Sequence, residues 1–205
     1  MHTSPARGQQ LSCGQRVVII GTSGTGKSTL ARALAARLGV EAVELDALFW
    51  GPKWTETPLD EFRARVAAAL AGEGWVVDGN YSKARDLIWP RTQTLLWLDY
   101  RFSVVLWRLT RRTLLRVVLR EPLWEGNRES LRTLFSRNSI VVWMLRTYAK
   151  YRRTFPGELA DPRYAHMTVV RLRSPRATRR WLAALPTSSA DRTPLPASRA
   201  EDHTT

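Results

Sequence analysis

Cysteine and histidine are nearly missing from this chain. Its one cysteine, Cys13, can close no internal disulfide, which excludes a disulfide-stapled scaffold and fits a reducing cytoplasm. Three histidines, two of them near the ends (His2 and His203), offer no metal-ligand cluster. No apolar run approaches the roughly eighteen residues a membrane span needs. The polar start from Met1 to Gln10 has no hydrophobic signal region, which argues against secretion. Lysine is scarce, four against 28 arginines, and the acids are outnumbered 18 to 32, for a formal net charge of +14.

A length of 205 residues suits one α/β domain with a sizeable core. Residues 1–14 read as a disordered leader and 187–205 as a disordered tail, because neither holds enough apolar surface to order itself. The domain between them is 15–186.

The informative stretch is Gly21-Thr22-Ser23-Gly24-Thr25-Gly26-Lys27-Ser28-Thr29, a G-x-x-x-x-G-K-[ST] motif. Before it runs Arg16–Ile20, a short β-branched run expected of a buried parallel strand. After it, Leu30 to Leu38 is rich in helix formers, and Gly39 is placed to stop the helix. Strand, glycine loop and helix together make a phosphate site. The glycines let consecutive N–H groups curl inward, and the helix aims its positive end at the same point. Lys27 is expected to reach the β- and γ-phosphates, and the Ser28 hydroxyl to hold Mg²⁺. A nucleoside triphosphate is the expected ligand. ATP is favoured over GTP because no Asn-Lys-x-Asp motif occurs.

Downstream, Val40–Leu45 reads as a second strand ending at Asp46, followed by an aromatic loop, Ala47–Trp54. Thr57-Pro58-Leu59-Asp60 is expected to open a helix, with Thr57 as N-cap and Asp60 in the capping-box place. Trp75–Asp78, Thr94–Asp99 and His166–Leu172 read as three further strands. Helices are expected over Phe102–Leu119, in two pieces over Glu121–Phe155 broken near Gly126-Asn127, and from Ser174 to Leu185. This alternation implies an α/β fold: a P-loop NTPase three-layer sandwich with a central parallel five-stranded sheet. In such sheets ligands bind at the carboxyl ends of the strands, where the P-loop, Asp46, Asp78 and Asp99 all fall.

Gly21–Thr29, Leu45–Trp50, Val77–Tyr81 and Gly126–Glu129 together resemble a bacterial P-loop kinase-like family. That family is related to adenylate kinases, and its members are often labelled "DNA topology modulation protein". The likeness covers roughly Gln15 to Leu185. It implies a nucleoside- or nucleotide-kinase fold with a mobile lid, but it names no acceptor.

Several roles follow from the resemblance. Asp78, closing its strand, is similar to the carboxylate that assists Mg²⁺ in these enzymes; the plainer reading is a turn aspartate. Adenylate kinases usually continue their Asp-Gly pair with Phe-Pro-Arg, whereas Asn80-Tyr81 follows here. Asp46 sits where small-molecule kinases of this fold place an acceptor-binding carboxylate, as base for a hydroxyl or as a positioning group; the plainer reading is a helix cap. Asn80, Tyr81 and Arg85 would line the same pocket. Phe49, Trp50 and Trp54 could stack on an acceptor ring or pack the core, Trp50 being the first choice. Arg108, Arg111 and Arg112 precede the lid, and Arg112 and Arg128 are the first candidates to stabilise the transferring phosphoryl group, ahead of Arg108, Arg111 and Arg146. Ser174 and Arg176 would border the adenine.

Between Arg101 and Arg153 thirteen basic residues face three acids, a local net charge of +10. This block reads as an Arg-rich helical lid over phosphates (about 108–155), a nucleic-acid face, or a surface for anionic membranes. The expected activity is ATP-dependent phosphotransfer to a small-molecule acceptor of the nucleoside or nucleotide kind, with ATP and Mg²⁺ as cofactors. The alternative is a nucleic-acid-associated ATPase. No membrane partner is expected, and monomer and dimer stay equally open.

Overall fold

In the computed structural model, residues 13–119 and 140–186 are described. Five strands, β1 (Arg16–Gly21), β2 (Glu41–Glu44), β3 (Trp75–Asp78), β4 (Thr94–Leu98) and β5 (Thr168–Leu172), form one sheet in the order β2-β3-β1-β4-β5. Every pairing in it is parallel. The helices are α1 (Lys27–Leu38), α2 (Leu45–Phe49), α3 (Leu59–Ala69), α4 (Arg85–Ile88), α5 (Phe102–Leu119), α6 (Ile140–Leu159) and α7 (Pro175–Ala184). This is the P-loop NTPase fold, α/β with helices on both faces.

The period of the strands decides the layering. In β1, Val18 and Ile20 point into one layer with Phe62, Val66, Leu70, Trp75 and Phe155. Val17 and Ile19 point into the other, with Leu30, Leu34, Leu109, Met144 and Trp181. A strand buried on both faces needs a continuous apolar run, and β1, β3 and β4 have one. Each such large side chain contributes about 1.5–3 kcal/mol by leaving water.

Four local expectations change. Strand β2 stops at Glu44, and the next residues wind into α2 instead of an aromatic loop. Thr57 does not cap α3: its hydroxyl donates to the Leu48 carbonyl, and Pro58 is the N-cap residue. Strand β5 starts at Thr168, not His166, because residues 162–167 form a helical turn and its exit. Cys13, expected to belong to the leader, packs beside the second core layer. The helix break expected near Gly126-Asn127 lies outside the described residues, as do nearly all of the leader and the whole tail.

Parallel register brings the carboxyl ends together. Ile19 pairs with Asp78, and Asp78 pairs with Glu44. The loops after β1, β2 and β3 therefore open on one side of the sheet, where an α/β fold places its ligands.

Candidate functional site

The loop after β1 has the shape its glycines allow. Gly24 and Gly26 take positive φ of 89° and 91°, a region that side chains with a Cβ rarely occupy. Thr25 closes the curl by donating its hydroxyl to the Thr22 carbonyl at 2.8 Å. Thr22 and Thr25 are buried and maintain the loop, while Gly21, Ser23, Gly24, Gly26, Lys27, Ser28 and Thr29 line the cleft above it. Helix α1 then starts with Gly26 as N-cap, no side-chain cap and no acid in its first turn. Such an end is electrostatically suited to an anion. Helix α5 presses on the loop from behind: a Cβ at Gly24 would meet Leu109 Cβ at 2.9 Å, and one at Gly26 would meet Arg108 Nη2 at 2.8 Å.

Asp78 is buried at the end of β3 beside this loop. Ser28 donates its hydroxyl to the carboxylate, and the Lys27 ammonium attracts it. Burial pushes the Asp78 carboxyl above the usual carboxylate range, Lys27 and Ser28 pull it back in part, and Asp46 and Glu44 push it up again. Its Oδ1 has no hydrogen-bond partner among the described residues. A buried carboxylate oxygen without a partner is costly unless something cationic meets it. The donor set of a hydroxyl, a carboxylate and triphosphate oxygens suits Mg²⁺, which takes few protein ligands and keeps waters. The residues present thus fit the ion.

Asp46 lies in the first turn of α2 and caps nothing: Glu44 is the N-cap residue, with no side-chain bond. Tyr81 Oη donates to Asp46 Oδ1 at 2.6 Å, and Trp50, whose indole N–H is its only donor, bonds the same tyrosine oxygen. Burial, the facing Asp46 charge and this hydrogen bond push the Tyr81 phenol well up, so it stays a donor at any working pH. Gly79 makes the arrangement possible. At φ 143° it leaves space that Leu45 fills, and a Cβ there would stand 2.9 Å from Leu45 Cβ.

Asn80 hydrogen-bonds Tyr151 of α6. Arg85 Nη1 lies 3.0 Å from Glu158 Oε2, and its guanidinium stacks over Trp89 at 4.4 Å. Trp50 and Trp54 meet edge-on at 5.8 Å and both line the cleft; Phe49 also borders it but is largely buried against Phe62 and Tyr81.

The cleft holds about 2300 Å³. The candidates Lys27, Ser28, Asp46, Trp50, Asp78, Asn80, Tyr81, Arg85, Arg108, Arg111, Arg112 and Arg146 all border it. Arg128 lies outside the described residues. Ser174 caps α7 through the Ala177 N–H, and of the α7 start it is Pro175, not Ser174 or Arg176, that borders the cleft. Asp99 is at a strand end but not in the site. It is buried and paired with Arg152 Nε at 2.8 Å and Arg171 Nη2 at 2.5 Å. Residue-type reasoning missed Lys150, Tyr151, Thr154 and Glu158, which also border the cleft. The signal was there: with Arg146, residues 150, 154 and 158 repeat every four and so share a helix face.

A family model described as "AAA domain" matches residues 16–47, from β1 through the start of α2. No curated protein matches the chain. Among solved structures, a gluconokinase from Sinorhizobium meliloti 1021 is similar at 21% identity and a TM-score of 0.46, over 82% of this chain and 89% of that one. An unliganded sugar kinase from Janibacter sp. HTCC2649 is similar at 22% identity and a TM-score of 0.46, over 83% of this chain and 97% of that one.

Proposed function

We propose that this chain is an ATP-dependent phosphotransferase acting on a small molecule of the nucleoside or nucleotide kind. The observation that carries the reading is one cleft lined both by the P-loop, Lys27 and the Ser28–Asp78 pair and by Asp46, which is held by Tyr81 and near enough to Asp78 to push its carboxyl up. The loop N–H groups and Lys27 would hold the β- and γ-phosphates. Ser28 and Asp78 would hold Mg²⁺, which when bound offsets negative charge on the phosphate oxygens. Asp46 takes the proton from an acceptor hydroxyl as its oxygen bonds the γ-phosphorus, and the bond from that phosphorus to the bridging oxygen breaks to release ADP. For a phosphate acceptor no proton need move, and Asp46 positions it. Arg108 and Arg112, one turn apart on α5, would meet charge developing on the transferred group. The basic side chains Arg108, Arg111, Arg112, Arg116, Arg146 and Lys150 border this same cleft, which favours a phosphate-facing role for them over a separate nucleic-acid face.

The test is ADP release over nucleosides, nucleoside monophosphates, sugars and polynucleotides, for the wild type and Lys27→Ala. The expected result is ADP formed with a phosphorylated product, and turnover lost in Lys27→Ala while its melting temperature holds. ADP release stimulated only by DNA or RNA would replace this reading with a nucleic-acid-dependent ATPase.

A further inference from the structure

The transferase reading leaves open whether the acceptor already carries a phosphate, and the charges on the acceptor wall bear on that choice. Among the described residues that line it, each cation there faces a carboxylate. Arg85 pairs with Glu158 at 3.0 Å, Lys83 with Glu56 at 3.6 Å, and Arg32 with Glu44 at 3.2 Å. Asp46 is the exception. Its hydrogen-bond donor is the phenol of Tyr81, which brings no positive charge. The wall therefore carries a net negative charge around the group that would meet the acceptor.

The other end of the cleft has the opposite character. Arg108, Arg112 and Arg116 repeat every four residues along α5. On α6 the cleft-lining face runs Arg146, Lys150, Thr154, Glu158, from basic to acidic over about 18 Å of helix. Polyphosphate belongs at the basic end. A second dianion at the acidic end would lie against Asp46, where the described cleft-lining cations Lys83 and Arg85 are already paired with carboxylates.

The remaining surface is aromatic. Trp50 and Trp54 border the cleft edge-on to one another. Trp54 is held there by an unusual backbone: Lys53 and Trp54 have φ of 55° and 60°, the left-handed region that a bulky residue rarely enters. Two backbone hydrogen bonds, Gly51 N to Thr55 O at 2.8 Å and Thr55 N to Pro52 O at 3.2 Å, close the loop around them. Strain of this kind collects at ligand sites.

Resting on the transferase reading, we infer that the acceptor is an uncharged, hydroxyl-bearing ring compound, a nucleoside or a sugar, and not its phosphorylated form. Its ring lies against Trp50 and Trp54, and one hydroxyl gives its proton to Asp46 as it takes the γ-phosphoryl group.

The test uses matched pairs: adenosine and AMP, cytidine and CMP, thymidine and TMP, glucose and glucose 6-phosphate. Initial rates and product masses are measured for wild type and Glu158→Gln, with MgATP binding followed separately by calorimetry. In the pair that is turned over, the phosphate-free member is expected to have a kcat/KM at least about tenfold higher. Glu158→Gln, which leaves Arg85 uncompensated, is expected to narrow that ratio about tenfold. A phosphorylated member that is the better substrate, or a ratio unmoved by Glu158→Gln, overturns the inference while the transferase reading stands. Loss of MgATP binding in the wild type overturns the transferase reading itself, and this inference with it.

Discussion

Tyr81 Oη lies 2.6 Å from Asp46 Oδ1, a short hydrogen bond between residues 35 apart in sequence. It ties the start of α2 to the turn after β3. Hydrogen bonds to charged groups contribute about 1.5–3 kcal/mol. If that energy orients Asp46 for proton transfer, Tyr81→Phe should lower kcat by about 10–100-fold. The KM for MgATP should hold, because the P-loop is untouched. Melting temperature should fall by no more than this bond's own contribution, about 3–12 °C, since the phenylalanine ring keeps the contacts with Phe49 and Phe62. Steady-state kinetics and a thermal melt check both. A fall in stability with kcat preserved would make the bond purely structural.

Asp78 gives a prediction of opposite sign for stability and activity. Its carboxyl is raised in the folded state, so the folded chain holds that proton more tightly than the unfolded one. Its favourable contribution is present below the usual carboxylate range and is lost as pH rises through the raised folded value. At neutral pH the buried anion is a cost. Asp78→Asn should therefore stabilise the ligand-free protein near pH 7.5 by about 1 kcal/mol, a rise of about 2–4 °C in Tm for a domain this size. The difference should shrink toward pH 4 as the wild-type carboxyl takes up its proton. Mg²⁺-dependent turnover should fall by about 10–100-fold. Melts across pH, with magnesium titrations of turnover, decide it. A destabilised Asp78→Asn at neutral pH would mean that the Lys27 and Ser28 contacts outweigh burial.

How far these residues could be found from the chain alone depended on separation. The P-loop is local: nine consecutive residues with fixed spacing carry Lys27 and Ser28, and the flanking strand and helix follow from composition. Asp78 and Asp46 were legible as strand-end carboxylates, because parallel strands bring such ends together. Asp99 satisfied the same rule and is nonetheless a structural residue, since its partners Arg152 and Arg171 come from 53 and 72 positions further on. Thr57 failed as a cap for a related reason: a long-range carbonyl, that of Leu48, outcompeted the local N–H groups. The order at the centre of the sheet was not written in any one segment, because β1, β3 and β4 are each apolar enough to sit beside any other, whereas the more polar β2 and β5 lie at the edges. Helix α6 had a readable stripe, but which way it faced depended on packing against α5 and against Trp97 of β4.

The Asp99 cluster can be separated from the active cleft by experiment. Asp99 is buried and borders no part of the cleft, and it holds Arg171, whose guanidinium also stacks over Trp97 at 4.2 Å. Removing one member of a buried pair strands the others, at about 3–5 kcal/mol when burial is complete. Here Arg152 is 43% and Arg171 25% exposed, so water recovers part of that cost. Asp99→Ala should destabilise by about 2 kcal/mol, or about 4–8 °C in Tm. Arg152→Ala should cost less, because Arg171 remains beside Asp99. Since the cluster pins α6 and β5 and not the P-loop, the Kd for MgATP should stay unchanged at a temperature where both variants are folded. Differential scanning calorimetry with isothermal titration tests both halves. A Tm equal to wild type combined with weakened MgATP binding would move Asp99 out of the scaffold and into the site.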